Sequence, residues 1–561
     1  MNFLGLNLSY LSVDVSQIPT VPDYKVNYDY YNSEDISEDK VITEINSTIN
    51  SIEIGYEFEN DDAAWVLSCT FMIFTMQTGF GLIESGMCHR KNEVNILMTN
   101  VMDVALGGFT FWFLGYGLAF GNSPYTNSFI GIDGFLFNRD VNILYSGESL
   151  LHFFYQMALS STATTICSGA MAERANFRAT MIFVTVNVLI YALPAHWIWH
   201  ESGWLYQLGA RDLAGSGPVH LLGGVSGLVA AYMLGPRLGR SKHSQIAMGN
   251  AKNSLIGLFM LWWGTLAFNS GSTFGVTIDK WAYAARSTVA TMCCSFGGGI
   301  TGLLICYIFF AGKIDVAYIL NCVFGSLAAI TGSCYMVRMY EAVCIGLISG
   351  LITFLTMLAI ERTKLDDPCG SFAVHGMNGA WGLIALGLFG HKEHEKLEYD
   401  GLLYNGGVYQ LYVQFLAVFS ITAWTIITTY LILWLINKIT PLRTQVVCEL
   451  LGADYTVHNI MHGGASGIAK AVETLKYVDP DIPTDIEPTG NNLGHSMYLE
   501  DNYAEGFELR SKKLENAGLT LSMMFAENVR LLDVQEFIEH TGVPKNIRPT
   551  SGGGAFGRYY S

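Results

Sequence analysis

Two histidines in this chain stand in matching surroundings 155 residues apart. Asp212-Leu-Ala-Gly-Ser-Gly-Pro-Val-His220 opens one apolar segment, and Asp367-Pro-Cys-Gly-Ser-Phe-Ala-Val-His375 opens another. The match runs on through Gly224/Gly379, Gly227/Gly382 and Leu228/Leu383, giving eight identities in seventeen positions. Imidazole changes charge near neutral pH, so two facing rings could handle a proton. One ring donates and the other accepts, which leaves the outer nitrogens free to line a pore. A polar group in hydrocarbon without a partner costs several kcal/mol, so ionisable residues there are candidates for function. Two unrelated core histidines, each bonded to a carbonyl, would be the plainer reading; their common register in a repeat argues against it. Metal binding needs a third ligand, and none shares these inner faces; Cys369 lies nearer the membrane boundary.

Other polar residues allow two readings. Asp212 and Asp367 each precede their histidine by eight residues and suit helix N-termini. Asp212 could also support an arriving cation. Tyr155 and Trp199 end their segments on the side expected to face outward, as interfacial anchors or as a cation–π site. Gln77, Glu84, Asn100, Asp103 and Asn269 read as inter-helix hydrogen-bonding groups. No nucleophile–base pair, metal cluster or phosphate loop is visible; Gly552-Gly-Gly554 lacks the Lys and Ser/Thr such a loop requires. The expectation is a protein that is not an enzyme and takes no cofactor. The eleven cysteines contain no CxxC pair and read as small buried hydrophobes.

What would position these residues is an all-α polytopic membrane bundle. The chain is 51% hydrophobic and only 14% charged, against about 25% charge in ordinary soluble domains. Its net charge of −17 argues against nucleic acid as a partner. Eleven apolar stretches are expected to span a bilayer, near 63–84, 95–119, 149–172, 178–199, 217–235, 251–270, 285–311, 315–334, 341–361, 371–390 and 411–437. With the N-terminus outside, thirteen basic residues fall on the cytoplasmic side and seven on the other, which predicts N-out and C-in. The 155-residue offset divides the spans into five and five plus one extra, with halves at about 63–235 and 251–390 in inverted topology. Residues 1–60 form an acidic outer tail with sequons at Asn7 and Asn46, residues 61–438 the membrane domain, and 439–561 a cytosolic region.

Several stretches in order resemble the ammonium transporter family (Amt/Mep/Rh), in its Amt branch of animal type. They are Asp212–His220, Ala172-Glu-Arg174, Phe268-Asn-Ser-Gly-Ser272, Asp366-Asp-Pro-Cys and Val374-His-Gly376, and the likeness covers about residues 60–460. The resemblance implies a plasma-membrane homotrimer with one pore per subunit, carrying ammonium or ammonia, with methylammonium as analogue. It implies a twin-histidine pair at His220 and His375. It also implies an outer recruitment site of Tyr155, Trp199 and Ser272, with Asp212 and the Ala214 carbonyl beside them. Two stacked gate phenylalanines would fall at Leu159 and Phe268, so one is aliphatic here, and a pore tryptophan would fall at Thr265. Gly452, Asp454 and His458 resemble a trans-interacting cytosolic motif, with Ala453 in place of the usual leucine. A neutral gas channel for ammonia or carbon dioxide, or an ammonium sensor signalling through the C-terminal tail, are the alternative functions.

Overall fold

The computed structural model describes residues 60–138, 143–238, 240, 248–392, 397–460 and 462. Asn7, Asn46 and the expected N-terminal tail before Asn60 lie outside the described residues, as does the distal C-terminal region. Among the described residues there is no strand, and one isolated bridge joins Ala175 to Arg443.

Eleven helices fall where the apolar stretches place them. They are α1 Asn60–Met87, α2 Arg90–Phe120, α3 Ile143–Met171, α4 Phe177–Trp199, α5 Ser216–Leu234, α6 Ala251–Gly271, α7 Lys280–Phe309, α8 Val316–Ile330, α9 Met339–Glu361, α10 Phe372–Phe389 and α11 Tyr409–Ile439. Eight of them are long and apolar enough to cross a membrane: α1, α2, α4, α5, α7, α9, α10 and α11. The chain is a multi-pass membrane protein.

The other three differ from simple apolar spans, and α3 and α8 show why. On α3 a run of hydroxyls (Ser160, Ser161, Thr162, Thr164, Thr165 and Ser168) is buried, several of them bonding back to the preceding turn or to α1 and α2. The expected stretch 315–334 is helical only to Ile330, because the next residues serve another task. The Gly332 and Thr331 carbonyls accept from the Leu213 and Ala214 amides, and the Gly332 amide donates to Ser216 Oγ. The end of α8 is therefore a dock for the loop that opens α5.

The helices that open the two halves, α1 and α6, pack together, as do the helices that close them, α5 and α10. A Cβ on Gly257 would stand 2.6 Å from the Gly79 carbonyl, so α1 and α6 approach at backbone distance. Small residues permit such contacts between membrane helices. Five helices per half reverse the direction of the second half relative to the first.

At the start of α5 and α10 the repeat is visible atom by atom. Gly215 and Gly370 occupy the left-handed region, at φ +109° and +73°. Each is followed by a π-helical turn, Ser216–Leu221 and Phe372–Met377, and each turn carries its histidine. Such wide turns re-aim side chains and often mark functional sites.

Past α11 the chain turns back onto the same end of the bundle. The Asn176 amide bonds Leu442 O and the Thr444 amide bonds Arg174 O. Two short helices follow, α12 Val446–Leu451 and α13 Ala453–Thr456.

Candidate functional site

Imidazole rings from α5 and α10 meet inside the bundle. His220 Nδ1 lies 3.0 Å from His375 Nδ1, with ring planes 7° apart. Both are almost wholly buried, at 2% and 3% exposure, so bulk water cannot replace this bond. At that distance a single hydrogen lies between the two nitrogens. When both rings are neutral, one outer Nε2 must be a donor and the other an acceptor. Aromatic walls hold the pair: Phe324 stands edge-on to His375 at 4.6 Å, and Phe80 packs against it at 6.0 Å. Phe268 covers His220 at 6.0 Å. Thr331 Oγ1 donates to Leu327 O and lies 3.5 Å from His220 Nε2. Sequence reasoning missed Phe80, Phe324 and Thr331, since an aromatic or threonine in an apolar run carries no positional signal.

Above His220, Tyr155 Oη lies 2.8 Å from Phe268 O and 2.9 Å from Ser272 Oγ. Ser272 Oγ also reaches Phe268 O at 2.9 Å, so the two hydroxyls and this carbonyl form one polar knot. Leu159 lies one turn along α3 from Tyr155 and is buried, as is Phe268. Trp199 belongs to a second group: its indole N–H donates to Asp212 O at 2.7 Å. The structure thus places the expected outer residues in two anchored sets. Ala214 is fully buried, its amide held by Thr331 O.

Asp212 acts on the backbone. Its Oδ1 accepts from the Gly215 and Ser216 amides at 2.8 and 3.0 Å, and its Oδ2 from Gly217 at 2.6 Å. Three amide donors fix the entry to α5 and hence the aim of His220. Asp367 performs the same task for α10, Oδ2 accepting from the Phe372 amide at 2.8 Å. Both carboxylates are helix caps in the repeat, which agrees with the structural reading of each.

At the opposite end an ion cluster ties the exit of α5 to the entry of α10. Arg237 donates from Nε to Asp366 Oδ2 at 2.8 Å and from Nη2 to Oδ1 at 3.1 Å, and its Nη1 pairs with Glu173. Arg174, wholly buried, donates to Asp366 O at 2.6 Å. Burial alone would raise the Asp366 carboxyl; the Arg237, Arg174 and Arg240 guanidiniums instead hold it well below the usual carboxylate range. Glu173 is likewise pushed up by burial and brought below its ordinary value mainly by Arg237. In the sequence Arg237 is one of the thirteen basic residues counted on the cytoplasmic side and nothing more; its carboxylate partners lie 64 and 129 positions away.

The C-terminal motif docks on the start of α2 within the same chain. Asp454 accepts from the Val94 and Asn95 amides at 3.1 and 2.7 Å, and the Ala453 amide donates to Asn92 Oδ1 at 2.8 Å. His458 Nε2 meets Asn95 Oδ1 at 3.1 Å, and burial lowers its proton affinity while Asp454 opposes that shift. Gly452 sits at φ +94° directly over Lys91.

Comparison with known proteins agrees with this architecture. The model of the Ammonium Transporter Family matches residues 64–462. A Caenorhabditis elegans protein provisionally named ammonium transporter 3 is 38% identical over 416 residues, which cover 71% of this chain and 60% of that one. A second from the same animal, provisionally named ammonium transporter 2, is 34% identical over 428 residues, 73% of this chain and 83% of its own length. Among solved structures, one named Sensor Amt Protein superposes with a TM-score of 0.66 at 32% identity, covering 72% of this chain and 99% of the other.

Proposed function

This chain belongs to the ammonium transporter family, and from that premise we propose that it carries ammonium across the plasma membrane as ammonia plus a relayed proton. The observation that supports this most directly is the 3.0 Å contact between His220 Nδ1 and His375 Nδ1.

A charged side chain at the bilayer centre costs about 2.5–3.5 kcal/mol even on gentle insertion scales. Splitting the ion avoids most of that cost. Ammonium gathers at Tyr155, Trp199 and Ser272, near the field of Asp212 and the Ala214 carbonyl, and gives up one proton. Ammonia then passes Leu159 and Phe268, the two gate positions, and runs beside the histidines.

The proton follows a short path. It adds to the outer Nε2 that carries a lone pair. The hydrogen between the two Nδ1 atoms moves across, and the second ring releases its Nε2 hydrogen on the far side. Each passage leaves both rings in the other tautomer, so a turn or a reverse shift must reset them. Potassium has no proton to give and cannot enter this path.

The rest of the reading concerns the assembly. The chain is N-out and C-in, forms a homotrimer, carries glycans at Asn7 and Asn46, and uses Gly452, Asp454 and His458 as a regulatory contact.

The test is ammonium-evoked current in purified protein reconstituted into vesicles, with potassium as control. Saturable current with ammonium and none with potassium is the expected result. Internal alkalinisation without current would replace the reading with a neutral ammonia channel. Ammonium binding with neither would make the protein a sensor.

A further inference from the structure

A buried polar cluster on the other side of the histidines has no part in the mechanism so far. Glu84 on α1 and Asp103 on α2 are both buried, at 4% and 0% exposure, and among the described residues neither pairs with a basic side chain. Their contacts are neutral. Asn100 Nδ2 donates to Glu84 Oε2 at 3.2 Å, and Ser168 Oγ lies 3.4 Å from both Glu84 oxygens. Thr165 Oγ1 lies 3.1 Å from Asp103 Oδ2 and 2.9 Å from Gln77 Oε1.

These groups are short of hydrogens. Ser168 has one hydroxyl hydrogen, and Thr165 O at 2.7 Å competes for it. Thr165 also has one, with two acceptors in reach. Asp103 Oδ1 and Asn100 Oδ1 are buried with no partner at all. Buried oxygens without donors are costly, and an added proton supplies what this cluster lacks.

Position connects the cluster to the pore. Glu84 lies one helical turn, about 6 Å, along α1 from Phe80, which packs against His375. Residues four apart share a helix face. A Cβ on Gly169 would stand 3.0 Å from Ser371 Oγ and 3.1 Å from Glu84 Oε1, so the carboxylate lies near Ser371, the cap residue of α10, four positions before His375. On its other side Glu84 lines a partly open cleft with Asn95, Thr99, Ser168 and Glu173.

We propose that Glu84 is the proton acceptor on the inner side of the histidine pair. This rests on the proton-relay reading above. An N–H bond of His375 breaks as water takes the proton, and water gives it up as an O–H bond forms on the Glu84 carboxylate; that O–H then breaks in turn, and the proton leaves with water through the cleft. No electrons are exchanged, and the carboxylate is regenerated. The titratable groups facing Glu84 are Asp103 from α2, Cys167 from α3, and Cys88, Cys369 and Glu173 from the connections at this end.

The experiment compares wild type, Glu84→Gln and Glu84→Asp in vesicles, recording ammonium-evoked current and internal pH together over pH 5.5–8. Glu84→Gln keeps the size of the side chain but cannot cycle a proton. Its current is expected to fall at least tenfold while neutral ammonia entry, seen as alkalinisation, continues. Glu84→Asp keeps the carboxylate one methylene further away and is expected to carry current with a displaced pH midpoint. Wild-type current and pH profile in Glu84→Gln would overturn the proposal. If Glu84→Gln does not reach the membrane, an unchanged pH profile in Glu84→Asp would do the same. Absence of current from wild type itself would strike the relay reading instead.

Discussion

Gly224 of α5 and Gly376 of α10 touch backbone to backbone: a Cβ on Gly224 would stand 2.1 Å from the Gly376 amide nitrogen. The repeat returns the contact, since a Cβ on Gly379 would stand 2.5 Å from the amide of Leu221, the residue matching Gly376. These two contacts set the spacing at which the histidines meet. Gly224→Ala is expected to push the helices apart, break the Nδ1–Nδ1 bond and lower ammonium transport at least tenfold. Overpacking of this kind costs about 1–3 kcal/mol, so the protein should still fold. Gly299→Ala, whose nearest neighbour would be 3.6 Å away, serves as the control and should transport normally.

The histidines themselves give the second prediction. His220→Ala or His375→Ala removes the shared hydrogen and opens a void walled mainly by Phe80, Phe268 and Phe324. The ratio of ammonium to potassium flux is expected to drop at least tenfold in either variant. Normal selectivity in both would end the relay reading.

Asp212 offers a third. Its two oxygens receive three amide hydrogens, and asparagine has one acceptor oxygen in their place. Asp212→Asn should lose about 1–3 kcal/mol, the range for leaving a buried partner unsatisfied. Because the group is buried, salt should alter that loss little. Thermal unfolding at low and high ionic strength measures both, and the ammonium concentration for half-maximal current should rise severalfold.

The Arg237 cluster predicts a pH dependence. Asp366 and Glu173 both have folded values below their ordinary ones. Their contribution is therefore complete above the usual carboxylate range of about 4 and is lost as pH falls through the depressed values. Wild type should hold this stability from neutral pH down to about 4 and lose it below. Arg237→Met leaves the buried Glu173 without its guanidinium and Asp366 with Arg240 as its remaining ion-pair partner, and should cost about 3 kcal/mol at pH 7. The deficit should shrink on acidification, as protonation removes the stranded charge. Unfolding temperatures of both proteins at pH 7 and pH 4.5 decide it.

At the C-terminal contact, Asp454→Ala removes the acceptor for two amides at the start of α2. A lost cap of this type costs about 1 kcal/mol. Faster amide exchange at Val94 and Asn95, with no change around His220, is the expected result.

What was legible in the sequence follows from local and periodic physics. Apolar runs of bilayer length place all eleven helices, because the hydrocarbon core demands internally bonded backbone whatever the tertiary partners are. A duplicated Asp-x-x-Gly-Ser-x-x-Val-His stretch was enough to pair His220 with His375, since a repeated register implies a symmetric meeting point. Other features depend on contacts between distant segments. The early end of α8 at Ile330, the Arg237 clamp on Asp366, and the cleft beside Glu84 have no local signature. Glu84 read as inter-helix glue, since a carboxylate in an apolar run looks the same whether it bonds a neighbour or lacks hydrogens. Only the packed bundle counts donors against acceptors, and that count is what distinguishes the two.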